Sequence, residues 1–451
     1  MDIIITILVV AWVIYMIIKK HYPQAVLLIA GIILLLAAYF IGSNPILSAK
    51  ESSGSALLDI FHTIKVLLSS RVAGLGLTIM SIAGFAKYME YIGASKSLFA
   101  VVASPLKHIK SPYILLVLSF YMSQFLVLFI PSHAGLALLL MVTLYPILIR
   151  TGVSKLSALG VIGCAQYMDV GPGSGNAILA ANICKVDPAV YFVEYQLPIF
   201  VTTTLILGVV HYYAQKWWDK KEGFVGYDNS ADLVKEDESR PPLIYAVLPI
   251  IPMIFILGFS PIFKCKIQMD VVTAMFLSTF ISMIFEYVRT KDFRTTLQSL
   301  KYLYEGMGNS FATVVSLIVA GEVFACGLMK IGAVDVMTAS AQNLGLGVHA
   351  LIILFCIVIA CCAFLMGSGN AAFFSFAALA PKIAASLKID VVTLLLPMQI
   401  MTSFGRVVSP ITAAIVAIAG VAGVSPVQVV KRTAIPMAAA VLVNVAFIVM
   451  K

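Results

Sequence analysis

Charge is what this sequence has least of. Only 11% of its 451 residues are Asp, Glu, Lys or Arg, against roughly 25% in soluble domains. With 61% hydrophobic residues and a mean hydropathy of +1.02, so few charges cannot cover a water-facing surface of this size. The bilayer must be the solvent for most of the chain. None of the seven cysteines forms a Cys-x-x-Cys pair, and the six histidines are scattered, which excludes a clustered metal site. Cys164, Cys326, Cys356, Cys361 and Cys362 fall in apolar runs and read as buried, inert thiols. His-Glu-x-x-His, Gly-x-Ser-x-Gly and a facing aspartyl pair are all missing, so an intramembrane enzyme has no constellation to work with. The net charge of +9 does not indicate nucleic acid. Lys and Arg sit in short loops beside apolar runs, where they set orientation, and no basic stripe with interleaved aromatics occurs.

What is present is a series of long apolar runs. Ten read as transmembrane helices, near 3–18, 24–42, 72–92, 156–182, 191–213, 243–260, 269–288, 307–330, 391–422 and 433–450. Met1-Asp2 lacks a basic leader and Lys19-Lys20 follow the first run, the pattern of an uncleaved signal anchor. Two further regions, 112–149 and 349–381, are too long for one crossing and too short for two. Small and polar residues interrupt each near its middle, Pro131-Ser132-His133-Ala134-Gly135 and Gly367-Ser368-Gly369-Asn370, so both read as re-entrant hairpins.

Loop charges then place both termini outside, on the periplasmic face, with the first hairpin entering from the cytoplasm and the second from the opposite side. The hydrophilic stretch 214–241 reads as a cytoplasmic linker, with Trp217 and Trp218 as interfacial anchors. Lys87 with Glu90 and Glu322 with Lys330 read as local pairs or span-end charges.

The halves on either side of that linker, 1–213 and 242–451, match. Ile92-Gly93-Ala94 recurs as Ile331-Gly332-Ala333, Ser132 as Ser368, Pro172 as Pro410, Val186-Asp187-Pro188 as Val424-Ser425-Pro426, and Leu197-Pro198 as Ile435-Pro436. Amphipathic stretches carrying Leu58, Phe61, Ile64 and Leu68, and Leu297, Leu300, Leu303 and Met307, also correspond and read as interfacial helices. Each half holds five spans and a hairpin, an odd number of crossings, so the second half must be inverted. The expected fold is an all-α polytopic membrane protein of two inverted repeats. Such repeats with broken helices mark a secondary transporter whose substrate binds at the repeat interface.

Chemistry is confined to four irregular segments: the two hairpin tips and two breaks inside spans. The first break reads Asp169-Val170-Gly171-Pro172-Gly173-Ser174-Gly175-Asn176, the second Ser403-Phe404-Gly405-Arg406-Val407-Val408-Ser409-Pro410-Ile411-Thr412. Breaks expose half-helix N-termini, whose free N–H groups and positive dipole end suit a carboxylate. Candidate substrate-binding residues are Ser132, His133, Gly173, Ser174, Gly175, Asn176, Ser368, Gly369, Asn370, Arg406, Ser409 and Thr412. Arg406 either binds substrate carboxylate or balances Asp169, which lies beside its repeat-related position; both roles can hold at different stages. Asp169 is the candidate for a coupling proton or cation, or the counter-ion alone. No cofactor is expected beyond a coupling Na+ or H+. A channel would need a continuous polar pore, which discontinuous hairpins do not provide.

At these residues the chain resembles the anaerobic C4-dicarboxylate carrier family of type C, within the ion-transporter superfamily. The likeness is densest in Ser111-Pro112-Tyr113, Gly367-Ser368-Gly369-Asn370-Ala371-Ala372-Phe373, Gly405-Arg406 with Ser409-Pro410, and Ser425-Pro426 through Val430-Lys431-Arg432-Thr433. The resemblance implies exchange, uptake or efflux of fumarate, malate, aspartate and succinate across the bacterial inner membrane. It also implies an elevator, in which both hairpins move with spans 4, 5, 9 and 10 against a scaffold that forms a homodimer. The first half departs from the family pattern: Pro131 and His133 occupy a tip usually richer in Ser and Thr. Asn176 stands where the family has Asp, and Asp169 is additional. These departures leave another small anion, a monocarboxylate or acidic amino acid, as the alternative substrate.

Overall fold

A computed structural model describes the chain except Met1, Lys20, 42–44, Ala49, 225–241, 264–265, 334–335, 337–346 and Lys451. No strand occurs among the described residues. The first half contains α1 (Asp2–Ile18), α2 (Pro23–Ile41), α3 (Ala56–Tyr91), α4 (Ala94–Val102), α5 (Pro112–Leu126), α6 (His133–Arg150), α7 (Lys155–Gly163), α8 (Gly175–Cys184) and α9 (Pro188–Lys221). The second contains α10 (Leu243–Gly258), α11 (Val271–Thr290), α12 (Phe293–Lys330), α13 (Val348–Met366), α14 (Gly369–Ala377), α15 (Ala380–Leu387), α16 (Val391–Val407), α17 (Ala413–Ala422) and α18 (Pro426–Met450).

Eight of the described helices (α2, α3, α6, α9, α11, α12, α13 and α18) are long and apolar enough to cross a bilayer, and α14 with α15, bent by 56°, makes a ninth candidate. The chain is therefore a multi-pass membrane protein. Four of the ten expected spans are not single long helices, for local reasons. The runs at 156–182 and 391–422 are each divided into two short helices, because Gly171, Pro172 and Pro410 interrupt the hydrogen-bond ladder. α1, with 17 residues, and α10 fall short of the usual ~20. Both regions read as hairpins are helix–break–helix: α5 and α6 flank 127–132, and α13 and α14 flank Gly367-Ser368.

The two halves repeat their irregularities. α3 and α12 each contain a π-helical turn, Val72–Gly76 and Phe311–Val315. Each is followed by a left-handed glycine, Gly93 (φ 75°) and Gly332 (φ 79°). The stretches expected to lie on the interface are instead continuous with the spans that follow, so each forms one long helix, Ala56–Tyr91 or Phe293–Lys330. Leu58 and Phe61 remain exposed, while Leu303 is buried.

α12 is central, packing on α2 and α3. It crosses α3 at a pair of glycines. A Cβ on Gly84 would lie 2.7 Å from the Leu303 carbonyl oxygen, and one on Gly306 would lie 2.7 Å from that of Ala83. Small residues at a crossing let two backbones touch, which is how helices gain dispersion energy where lipid offers no hydrophobic drive.

Several charges find partners that sequence proximity did not indicate. Glu322 pairs with Arg71 at 2.7 Å, not with Lys330, whose Nζ donates to the Pro45 carbonyl at 2.6 Å. Lys87 and Glu90 do pair, at 3.0 Å on an exposed face. The linker read as starting at 214 begins later: α9 runs to Lys221, and its Asp219 is buried against Arg432 of α18. Asp219 also accepts from Ser154 Oγ (2.7 Å), Ser157 Oγ (2.8 Å) and Tyr113 OH (3.1 Å), while Glu222 accepts from Arg432 Nη2. One carboxylate thus ties α5, α7, α9 and α18. The rest of the expected linker, from 225 to 241, lies outside the described residues.

Candidate functional site

Four helices begin at the predicted breaks, and each starts from a hydroxyl residue in extended conformation. Ser132 precedes α6, Ser174 precedes α8, Ser368 precedes α14 and Thr412 precedes α17. Ser132 Oγ accepts from Gly135 N and Ser368 Oγ from Ala371 N, both at 3.2 Å, the ordinary N-cap bond. Ser174 makes no such bond, and Thr412 Oγ1 donates instead to the Arg406 carbonyl at 2.6 Å. The caps of α8 and α17 are therefore not closed by their own side chains, and N–H groups of those first turns stay available to an anion.

Arg406, at the end of α16, meets Asp169 across the two breaks. Nη1 donates to Asp169 Oδ2 and Nη2 to Oδ1, each at 2.9 Å, an end-on bidentate pair. Both side chains are nearly inaccessible, 6% and 5% exposed. Nη2 also donates to the Gln166 carbonyl at 3.0 Å. The Asp169 carboxylate accepts further bonds from Asn176 Nδ2 (2.7 Å), Gln166 Nε2 (2.9 Å) and Ser403 Oγ (3.2 Å). A buried pair needs such satisfaction, because leaving one charge unmatched costs about 3–5 kcal/mol.

Satisfaction is incomplete in an informative way. Arg406 Nε, His133 Nε2, Asn176 Oδ1 and Gln166 Oε1 are buried without a hydrogen-bond partner among the described residues. Each costs about 1–3 kcal/mol unless something fills it, and all four belong to this region. The His133 ring lies near the Gly163 backbone and within electrostatic reach of Arg406.

The segments connect in series. Gln166 Nε2 donates to the Pro131 carbonyl at 3.0 Å, joining the first tip to the first break. Asp169 and Arg406 join the two breaks, and Ser409 Oγ donates to the Phe364 carbonyl at 2.7 Å, joining the second break to α13. Gly369 lies against the Thr402 carbonyl, where a Cβ would come to 2.9 Å, and against the Arg406 stem. Of the remaining candidates, Gly173 lines a cavity of about 20 Å³ with Pro131 and Pro172, room for one water-sized group. Gly175 faces Ile79 of α3, and the half-buried Asn370 shows no side-chain hydrogen bond among the described residues.

Sequence reasoning missed the glutamines. Gln399 Nε2 donates to the Asp169 carbonyl at 2.9 Å, Gln196 Nε2 to the same oxygen at 3.3 Å, and Gln196 Oε1 accepts from Gly171 N at 3.0 Å. Tyr191 OH in turn donates to Gln399 Oε1 at 2.9 Å. The signal was available: an amide within an apolar span is expensive unless it serves the bundle interior. Among the described residues no three His, Cys, Asp or Glu gather as a metal site. A larger cavity, about 330 Å³, lies elsewhere, among α1, α12, α13 and α16. Its walls are mostly apolar side chains such as Val10, Phe324, Leu351, Phe355 and Met398, and no charged side chain is among the described residues that line it.

Known transporters resemble the chain in sequence and in fold. The "Probable anaerobic C4-dicarboxylate transporter DcuC" of Vibrio cholerae is 37% identical over 425 residues, covering 94% of this chain and 92% of its own. The "Anaerobic C4-dicarboxylate transporter DcuC" of Escherichia coli K12 is 33% identical over 436 residues, covering 97% and 94%. Two solved structures share the fold at low identity. The Alcanivorax borkumensis YdaH transporter has TM-score 0.59 and 14% identity over 95% of this chain and 98% of its own. The Neisseria gonorrhoeae MtrF pump has TM-score 0.62 and 15% identity over 95% of each. The profile of the C4-dicarboxylate anaerobic carriers, DcuC, matches residues 1–451, and the chain belongs to that family of transporters.

Proposed function

We propose that this protein carries C4-dicarboxylates such as fumarate and succinate across the bacterial inner membrane by an elevator motion. The observation that carries the substrate reading is the buried guanidinium of Arg406 with its unpartnered Nε, set between half-helix N-termini. Arg binds carboxylates in a planar fork, and a second carboxylate finds neutral donors in the α8 and α14 first turns, Ser174 and Asn370 among them.

The elevator rests on an inverted-repeat reading of 1–213 and 242–451, supported by the recurring π turns, left-handed glycines and hydroxyl caps. In that reading the hairpins with α7–α9 and α16–α18 move past α1–α4 and α10–α12. The 330 Å³ apolar seam between α1, α12 and α13 is loosely filled, as a sliding contact requires. Both termini are placed on the periplasmic side, and the scaffold is the surface assigned to a homodimer. Asp169 is the proposed point at which a coupling cation, sodium or proton, acts on the site.

Counterflow in proteoliposomes tests the function. Vesicles preloaded with succinate should concentrate trace labelled fumarate, and the accumulation should collapse when internal succinate is omitted. Folded, inserted protein that accumulates nothing overturns the dicarboxylate reading and directs the same assay to monocarboxylates and acidic amino acids.

A further inference from the structure

We infer that Asp169 is a resident carboxylate which substrate displaces from Arg406, and that it allows the carrier to cross the membrane empty. The inference rests on the reading of Arg406 as the substrate anchor.

Both terminal nitrogens of Arg406 are committed to Asp169, at 2.9 Å each. An arriving dicarboxylate therefore meets an arginine that is already neutralised. One carboxylate can replace another on the same planar fork with little change of geometry, because the donor spacing suits any carboxylate. The buried Nε, which has no partner, offers the entering group a first donor before the fork has opened.

Asp169 is not stranded when the fork turns away. Asn176 Nδ2, Gln166 Nε2 and Ser403 Oγ remain on its two oxygens at 2.7, 2.9 and 3.2 Å. Gln399 and Gln196 hold its backbone carbonyl, so the residue stays in place while its side chain changes partner. The donor set is larger than a simple counter-ion needs, and it suits a carboxylate that spends part of the cycle without its arginine.

The consequence concerns the unloaded state. A lone guanidinium is expensive in hydrocarbon, and a carrier whose empty site exposed one would be held on the side where substrate left. With Asp169 on the fork, the Arg406 charge is balanced in the empty site. Return without cargo is then permitted, and the protein performs net transport as well as exchange.

The wild-type protein provides the first arm of the test. Efflux of labelled succinate from proteoliposomes is compared in substrate-free buffer and with saturating external fumarate. Net efflux should reach about a third or more of the exchange rate, because the Asp169–Arg406 pair leaves the returning empty site without net charge. The second arm is Asp169→Asn. Leaving Arg406 unbalanced should slow net efflux by about tenfold or more, while removal of the internal competitor lowers the apparent KM for exchange. These readouts move in opposite senses, which loss of a merely structural contact would not produce. Wild-type efflux that depends on external substrate overturns the inference, even if the variant does not fold. A raised KM or preserved net efflux in Asp169→Asn does so as well. Absence of exchange from the wild type would instead overturn the dicarboxylate reading.

Discussion

The guanidinium of Arg432 and the carboxylate of Asp219 meet at 2.7 Å across 213 residues of sequence, with each side chain 2% exposed or less. Ser154, Ser157 and Tyr113 complete the shell of Asp219, so the base of the first hairpin, α7, α9 and α18 share one anchor. Asp219→Ala should destabilise the protein by about 1–3 kcal/mol, because it leaves the hydroxyls of Ser154 and Tyr113 without their acceptor and leaves Arg432 only the partly exposed Glu222 as a counter-charge. The thermal midpoint in detergent reports this. A midpoint equal to wild type would show that the pair does not hold these helices together.

Arg406→Lys keeps the charge and loses the fork. A lysine presents a point charge, so one of two charge-assisted bonds to a carboxylate is lost, worth about 1.5–3 kcal/mol. Uptake kcat/KM should fall by about tenfold to a hundredfold, and Arg406→Ala should abolish transport while insertion persists. Near-normal uptake by either variant removes Arg406 from the site.

Asn370 stands in the first turn of α14 without a side-chain hydrogen bond among the described residues. If its amide bonds the charged substrate, Asn370→Ala raises the apparent KM by about tenfold or more, with kcat less affected. An unchanged KM would place the second tip away from the ligand.

The glycine crossing of α3 and α12 admits no methyl group without backbone movement. Gly306→Ala would press a Cβ to 2.7 Å from the Ala83 carbonyl oxygen, and Gly84→Ala the same against Leu303. Each should cost about 1–3 kcal/mol as overpacking. The assay is monodispersity and thermal stability after extraction; a silent substitution would mean the helices are further apart than described.

The breaks were legible in sequence because Gly and Pro clustered with polar residues interrupt the hydrogen-bond ladder, whereas the isolated Gly, Pro, Ser or Thr residues inside α9, α12, α16 and α18 do not. The helix starts at Ser132, Ser174, Ser368 and Thr412 followed directly from that rule. The Asp169–Arg406 pair was legible in part, since the repeat placed the two near each other. Partners separated by tertiary crossing were not. Glu322 has Lys330 close in sequence, yet it pairs with Arg71, 251 residues away. Arg432 stood out in sequence only within a run of family likeness, yet a buried carboxylate on a distant helix claims it. Linear spacing reports what a helix face presents and says nothing about which face it meets.

The contact between Gly84 and Gly306 also fixes a distance. Main chain touches main chain there, so no side-chain rotamer is available to absorb a shift between α3 and α12. Two spectroscopic labels flanking that crossing should give one narrow separation in every state the protein visits. The crossing is an internal ruler against which the proposed movement of the hairpins can be measured.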